Sequence, residues 1–371
     1  DDPLVAVAAL ARWLLQELRS RTEVRVLALT GSQGKTSVKD LLAHVCATQG
    51  PTVAPEGSFN NELGVPLTIL RADLSTRWLI LEMGARGAGH ISYLCSIARP
   101  DVAAVLNVGS AHLGEFGSVA GIAAAKGEIL QALKPEGVAI VNADDPQVAA
   151  MSTSAETVVS FGTEADVSLA QPVTLDPNGH AQIVLRYRDR DWSVTVPQIG
   201  FHHGINAAAA FAMAVACGIQ PESVIDALAT AEPQSVMRME SVRAPDGMLI
   251  LNDAYNANPE SMAAALHTLV GVARERSVAV LGPMLELGAE SHAQHRRIGE
   301  LAAELGVDLL LVIGEAAGGI ALGAGDIALM SESVDEAIDT LRVSLRPTDT
   351  VLVKASRSIK LEKLVAALVA A

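Results

Sequence analysis

Short apolar runs alternate with helical periods along most of this chain. Val24 to Leu29 form a short, largely apolar run closed by Gly31 and Gly34, which predicts a buried strand. From Lys35 on, apolar residues at Val38, Leu41, Leu42 and Val45 predict a helix. Before the strand, Asp2-Pro3 supply an N-cap and a first helical residue. Leu4, Val7, Leu10, Ala11, Leu14, Leu15 and Leu18 then predict one apolar helix face over 3–19. Strands are expected at 78–81, 102–106 and 138–141, with a helix over 118–131. Residues 56–68 read as an irregular polar loop. Residues 157–200 read as short alternating strands with Trp192, Val194 and Val196 on one face, an antiparallel extension. An alanine-rich helix then runs to about Cys217, and Pro221 starts another.

Residues 231–247 break this pattern, and a fresh alternation follows. Strands are expected at 248–252, 277–281, 309–313 and 350–353, and helices over 333–343 and 359–369. Asn258-Pro259 predicts a helix start, and Ser291 with Gln294 a capping box. The fold expected is α/β in two domains, 1–233 and 234–371, the first a P-loop domain on a mostly parallel sheet.

The length of 371 residues allows two or three domains. Half the residues are hydrophobic but only 3% are aromatic, which suits alanine-rich helices on Val/Ile/Leu strands. A net charge of −15 argues against a nucleic-acid surface. The three cysteines, Cys46, Cys95 and Cys217, are scattered and give neither a disulfide framework nor a zinc site. Cys46 and Cys217 fall among apolar neighbours on predicted helices and are expected to be buried. With no signal peptide and no run of 18 apolar residues, a cytoplasmic protein is expected.

The chemistry gathers where strands end. Strand, glycine-rich turn and a helix opening with Gly34-Lys35-Thr36 is the layout of a P-loop. Its backbone N–H groups would wrap phosphates, Lys35 would reach the β/γ-phosphates and Thr36 would hold Mg²⁺. The spacing is unusual, since Leu29 stands where the first glycine normally falls and Gly31 is the extra one. Glu82 closes the 78–81 strand, where a P-loop Mg²⁺ finds its acidic partner, or where a solvated glutamate sits. His112 follows the 102–106 strand and reads equally as a metal ligand or a structural histidine. Ile122, Lys126, Ile129 and Leu130 share a helix face, so Lys126 either snorkels to water or is buried with a depressed pKa. A neutral amine could take up CO₂ as a carbamate; spacing alone favours snorkelling.

The segments TGSQGKTS, EGSFNNELGVPLT, LEMGA, NVGSAHLGEFGS, AAAKGEI, NADDP, NDAYNANPESM, LGPMLELG and VKASRS run in order through nearly the whole chain. Together they resemble the Mur ligases, ATP-dependent amide-forming enzymes of peptidoglycan precursor synthesis. The Asp-Ala-Tyr-Asn-Ala-Asn segment resembles the branch that joins D-alanyl-D-alanine to UDP-MurNAc-tripeptide. The resemblance implies a P-loop central ATPase domain followed by a C-terminal Rossmann-like α/β domain. It implies that Thr30, Gly31, Ser32, Gln33, Gly34, Lys35, Thr36 and Ser37 bind the ATP phosphates. Thr36, Glu82, His112 and Lys126 would hold metal, with two Mg²⁺ ions and Lys126 carbamylated. His202, Asn206, Arg238 and Asp253 would contact the nucleotide, Arg238 at the γ-phosphate and Asp253 at the ribose. Asn60, Asn61, Tyr255, Asn256, Asn258, Lys354, Ser356 and Arg357 would meet the other substrates. The implied catalytic set is Lys35, Lys126 and His112, in an enzyme expected to be monomeric.

Three departures qualify the resemblance. The domain that holds the UDP-sugar end in the family is expected to lie outside this chain. His203 stands where an amide side chain is usual, and Ala355 where a glycine is usual, which questions any left-handed backbone there. Other readings share some motifs: a sister ligase such as a folylpolyglutamate synthase, a non-catalytic or partner-dependent Mur-like module, or a P-loop ATPase that drives movement. The Tyr255-Asn-Ala-Asn segment argues against the first, and three scattered cysteines cannot build the zinc ribbon of a Mur-like amidotransferase subunit.

Overall fold

The apolar runs become the inner strands of two sheets in a computed structural model of the chain, which describes residues 2–109 and 113–370. The first sheet holds β1 (Arg25–Thr30), β2 (Thr52–Val53), β3 (Trp78–Glu82), β4 (Val102–Val105), β5 (Val138–Asn142), β6 (Thr157–Gly162), β7 (Val167–Leu169), β8 (Thr174–Leu175), β9 (His180–Tyr187) and β10 (Arg190–Ile199). Its order is β10-β9-β7-β6-β5-β4-β1-β3-β2, with β8 beside β9. The strands from β2 to β7 pair in parallel, and only β8, β9 and β10 are antiparallel. The antiparallel extension expected over 157–200 therefore begins at β8, because β6 and β7 still continue the parallel ladder.

Helices cover both faces of the central strands, which is why those strands are apolar throughout rather than alternating. Leu27, Leu29, Ile80, Ala104 and Ile140 pack beneath α2 (Lys35–Ala47) and two later helices, 202–216 and 221–228. Val26, Ala28, Leu79, Leu81 and Ala103 point the other way, against α1 (Pro3–Arg21), α3 (Gly64–Ile69), α4 (His90–Ile97) and α6 (Val119–Gln131). Between them lie α5 (Leu113–Phe116) and α7 (Pro146–Ala149), the latter after β5; the two later helices are α8 (His202–Ala216) and α9 (Pro221–Leu228). The polar loop expected over 56–68 contains α3, whose start is held by the Asn61 side chain accepting from Gly64 N–H at 2.8 Å. Its glycine and proline conceal a single buried turn and a half.

The second sheet runs β11 (Glu240–Arg243), β12 (Leu249–Asn252), β16 (Thr350–Lys354), β13 (Ser277–Leu281), β14 (Leu309–Ile313), β15 (Ala328–Ser331). All neighbours are parallel except β11 with β12. One face is covered by α10 (Pro259–Val272), α11 (Ser291–Glu304) and α12 (Gly318–Ala324), the other by α13 (Val334–Ser344) and α14 (Glu362–Val369). Ser291 begins α11 after a 3₁₀ turn and forms no capping box; its hydroxyl lies 3.4 Å from His295 Nδ1 instead. No described helix is long and apolar enough to cross a membrane. Cys46 and Cys95 are buried and Cys217, at the end of α8, is half-buried; all are free thiols.

Helices α11 and α12 touch through glycines. A Cβ at Gly299 would overlap the Ile320 carbonyl oxygen, and one at Gly323 the Arg296 carbonyl oxygen. Gly299→Ala is expected to lower unfolding free energy by roughly 1–3 kcal/mol, the cost of overpacking. Urea unfolding monitored at the second sheet checks this; an unchanged midpoint would mean that the helix pair separates freely.

Candidate active site

The P-loop spans the turn from β1 into α2. Gly34, at φ 78°, stands at the helix start, and a Cβ there would lie 2.7 Å from Asn206 Oδ1. The close approach of α8 thus demands glycine as much as the dihedral does. Asn107, just past β4, braces the loop: its Oδ1 accepts from Ser32 and Gln33 N–H at 2.9 and 3.0 Å. Its Nδ2 donates to Gln33 O at 3.2 Å. The Ser32 hydroxyl accepts from Gly109 N–H at 2.8 Å. Sequence pattern alone missed Asn107; its position at a strand end next to the P-loop strand was the available signal. Lys35 folds back and donates to Gly31 O at 2.8 Å. Thr36 is buried in the first turn of α2 with Ser37 half-buried beside it, while the Thr30 hydroxyl is buried without a hydrogen bond among the described residues.

Glu82 and Lys126 supply the charge around this loop. Glu82 is 1% exposed at the end of β3. Its Oε1 accepts from Asn60 Nδ2 at 2.7 Å, whereas its Oε2 is buried with no partner among the described residues. Lys126 is 4% exposed on the apolar face of α6 and pairs with no described residue. Burial, and secondarily the Lys35 charge, bring its amine down to about 7, so it does not snorkel. Lys35 is drawn down by burial as well, opposed by Glu82. A buried carboxylate oxygen without a donor fits a hard cation. Thr36 adds a second oxygen, and Lys126 becomes an oxygen ligand only as a carbamate. His112 lies outside the described residues. Among the described residues no three or more His, Cys, Asp or Glu cluster as a metal site.

The strand ends of the second sheet face this region. Tyr255, after β12, meets the Ser58 hydroxyl of the first unit, and Gly114 N–H reaches Glu286 O at 3.3 Å. The Arg238 guanidinium lies 4.1 Å from the centroid of the Tyr255 ring. Asp253 accepts from Lys354 Nζ at 2.6 Å, and the same amine donates to Asn256 O at 2.8 Å. Both groups expected to meet ligands are thus paired with each other. Asn258 caps α10, its Oδ1 accepting from Ser261 N–H at 2.8 Å, and Asn256 is exposed. Ser356 accepts from Leu285 N–H at 3.0 Å, bracing the loop after β13, and Arg357 pairs with Glu362 at 2.7 Å. Ala355 does not have positive φ; its Cβ lies 2.7 Å from where a Cβ on Gly282 would stand. No left-handed backbone is needed at that departure.

His202, His203 and Asn206 start α8 beside the P-loop. The Nδ1 atoms of both histidines and Asn206 Nδ2 are buried without hydrogen bonds among the described residues. The centroids of the two rings lie 4.2 Å apart, with the rings tilted by 42°. Burial holds His203 neutral, well below the usual histidine range, so it serves as the uncharged polar group that an amide would be. Burial also lowers His202 from 6.5 to about 4. The unfolded chain takes up this proton first, so stability present above pH 6.5 is lost as pH falls to about 4. Wild type should therefore lose more stability than His202→Gln across that window, read as urea midpoints at three pH values; equal losses would mean that His202 titrates normally.

Comparison with known proteins follows the same geometry. Residues 29–214 match the Mur ligase middle domain, and residues 237–357 the Mur ligase glutamate ligase domain. The UDP-N-acetylmuramoyl-tripeptide–D-alanyl-D-alanine ligase of Mycobacterium tuberculosis is 44% identical over 99% of this chain and 77% of its own length. A crystal structure of MurF from Acinetobacter baumannii superposes with a TM-score of 0.92 at 32% identity, covering 100% of this chain and 81% of that one. MurF from Thermotoga maritima in complex with ADP gives 0.88 at 28% identity, covering 100% and 84%. A P-loop sheet, a facing second sheet and matches across both establish that this chain belongs to the Mur ligase family.

Proposed function

We propose that the chain is an ATP-dependent ligase that joins D-alanyl-D-alanine to UDP-MurNAc-tripeptide. The observation that carries this reading is the half-buried Lys35 with the buried Glu82 and Lys126 at a P-loop, faced by the Tyr255–Asn258 segment. The relatives named above support the substrate pair. The working units are residues 1–233, binding ATP, and 234–371, bringing the acceptor amine. ATP as co-substrate argues for a cytoplasmic enzyme, and a nucleotide site drawn from both units of one chain for a monomer.

The chemistry follows from charge. A carboxylate resists attack by an amine, so a carboxylate oxygen of the tripeptide first attacks the γ-phosphorus of ATP and ADP leaves. The free amine of the dipeptide then attacks the acyl carbon of the acyl phosphate, and phosphate leaves as the amide forms. Lys35 moves from Gly31 O onto the phosphate oxygens, where its charge is stabilised by Glu82. Backbone N–H groups at the start of α2 hold the phosphates, while those of Ser32 and Gln33 fix the loop on Asn107. Bound Mg²⁺ would offset phosphate charge during transfer, held by Thr36, Glu82, His112 and a carbamylated Lys126. His202, Asn206 and Asp253 would hold the nucleoside, and Arg238 the γ-phosphate. Asn60 orients Glu82, Asn61 shapes the loop before α3, and Asn256, Asn258, Lys354, Ser356 and Arg357 shape the acceptor side. Closure of the two units brings amine and acyl carbon to about 3–3.5 Å.

ADP release measured with UDP-MurNAc-tripeptide, with and without D-alanyl-D-alanine, tests the reading, with the pentapeptide product identified by mass. Release that needs both substrates and yields that product is expected; nucleotide binding without any ligation would overturn it. Lys35→Ala should lower kcat by roughly 10²- to 10³-fold, as loss of one preorganised contact to a transition state does. Lys126→Gln should raise the Mg²⁺ concentration needed for half-maximal rate by at least about tenfold. An unchanged Mg²⁺ requirement would remove Lys126 from the metal site.

A further inference from the structure

Tyr255 joins three parts of the molecule that are distant in sequence. Its hydroxyl meets the Ser58 Oγ in the loop before α3 of the first unit. Its ring receives the Arg238 guanidinium 4.1 Å from the centroid. Its backbone N–H donates to Met237 O at 3.1 Å, fixing the linker on the N-terminal side of the arginine. Arg238 needs such support. It is flanked by Met237 at φ 57° and Met239 at φ 51°, a left-handed conformation that non-glycine residues keep only when their surroundings hold them. Met239 N–H is held by Asp253 Oδ1 at 3.2 Å, one strand end from Tyr255. The arginine also lies close enough to the P-loop to depress the Lys35 amine.

We propose that Tyr255 is a positioning residue that makes closure of the two units and delivery of Arg238 to the P-loop a single event. The hydroxyl finds Ser58 only when the units are together, and the same ring seats the guanidinium through its π face. In an open enzyme Arg238 would stay on the Tyr255 ring but withdraw from the P-loop with the second unit, so phosphate would not be transferred before the acceptor unit arrives. Tyrosine suits this task because phenylalanine would supply the face without the hydroxyl. The side chain need not touch a substrate. The proposal rests on the reading of Arg238 as the γ-phosphate arginine.

The test is a set of variants in the full chain: Tyr255→Phe, Ser58→Ala, their double variant, Tyr255→Leu and Arg238→Ala. For each, kcat, KM for ATP and for D-alanyl-D-alanine, and the ratio of ADP released to ligated product are measured. Tyr255→Phe and Ser58→Ala should each lower kcat/KM for the dipeptide by roughly two- to tenfold, the effect of one hydrogen bond. The double variant should be no worse than either, since both remove the same contact. Tyr255→Leu should lose a further factor of roughly two to thirty in kcat, from loss of the cation–π contact, which Tyr255→Phe keeps. Additive losses in the double variant overturn the link to closure. A Tyr255→Leu rate equal to that of Tyr255→Phe overturns the seating of Arg238. Arg238→Ala with wild-type ADP release instead overturns the reading of the arginine itself, whatever the Tyr255–Ser58 cycle gives.

Discussion

Parallel strands buried on both faces leave one place for chemistry. The apolar side chains along β1, β3, β4 and β5 are taken up by packing against helices on one side or the other, so polar groups collect where the strands stop. The P-loop, Glu82, Asn107 and the Asn142–Asp145 turn all sit at or just past such ends. The second sheet obeys the same constraint, with Asp253, Gly282 and Lys354 at its strand ends. Two sheets that meet through their carboxyl ends therefore enclose a site without any element being built for that purpose alone.

Charge within this enclosure is arranged to be incomplete. Lys35 lies in the field of one carboxylate, Glu82, which keeps an oxygen unpaired among the described residues, and in turn it repels the buried Lys126. Such a set is costly as it stands, because burial disfavours every charged member. Phosphates, a cation and a negative charge on Lys126 would each relieve part of that cost. By contrast, the Asp253–Lys354 pair is already satisfied, with the Asn256 carbonyl as a further acceptor. The first unit is poised to take up ligands, while the second holds its loops in shape.

Much of this could be read from the sequence because strand ends and helix periods are local. The P-loop, Glu82 at its strand end, Lys126 on an apolar face and the capping Asn258 all follow from residues within a few positions of one another. What escaped depends on contacts across the chain. Asn107 braces a loop more than seventy residues away, and Lys126 has its amine drawn down to about 7 by packing that periodicity cannot distinguish from a snorkelling position. Helix α3 was hidden because Gly64 and Pro66 look like breakers, yet Pro66 falls in the first turn, where a missing N–H costs nothing. The resemblance to Mur ligases supplied roles that spacing could not, and the pairing of Asp253 with Lys354 was visible in neither.

The Ala355–Gly282 contact bears on how far segments can be exchanged with relatives. One methyl group sits between the loop after β16 and the start of the loop after β13, and the opposite position has no side chain to accommodate it. The two loops therefore share one small volume, and either can fill it but not both. A chimera that imports a glycine at position 355 leaves a methyl-sized void, whereas one that imports any larger residue at position 282 forces the loops apart. Grafting in this region has to carry both segments together, although they are separated by more than seventy positions in the chain.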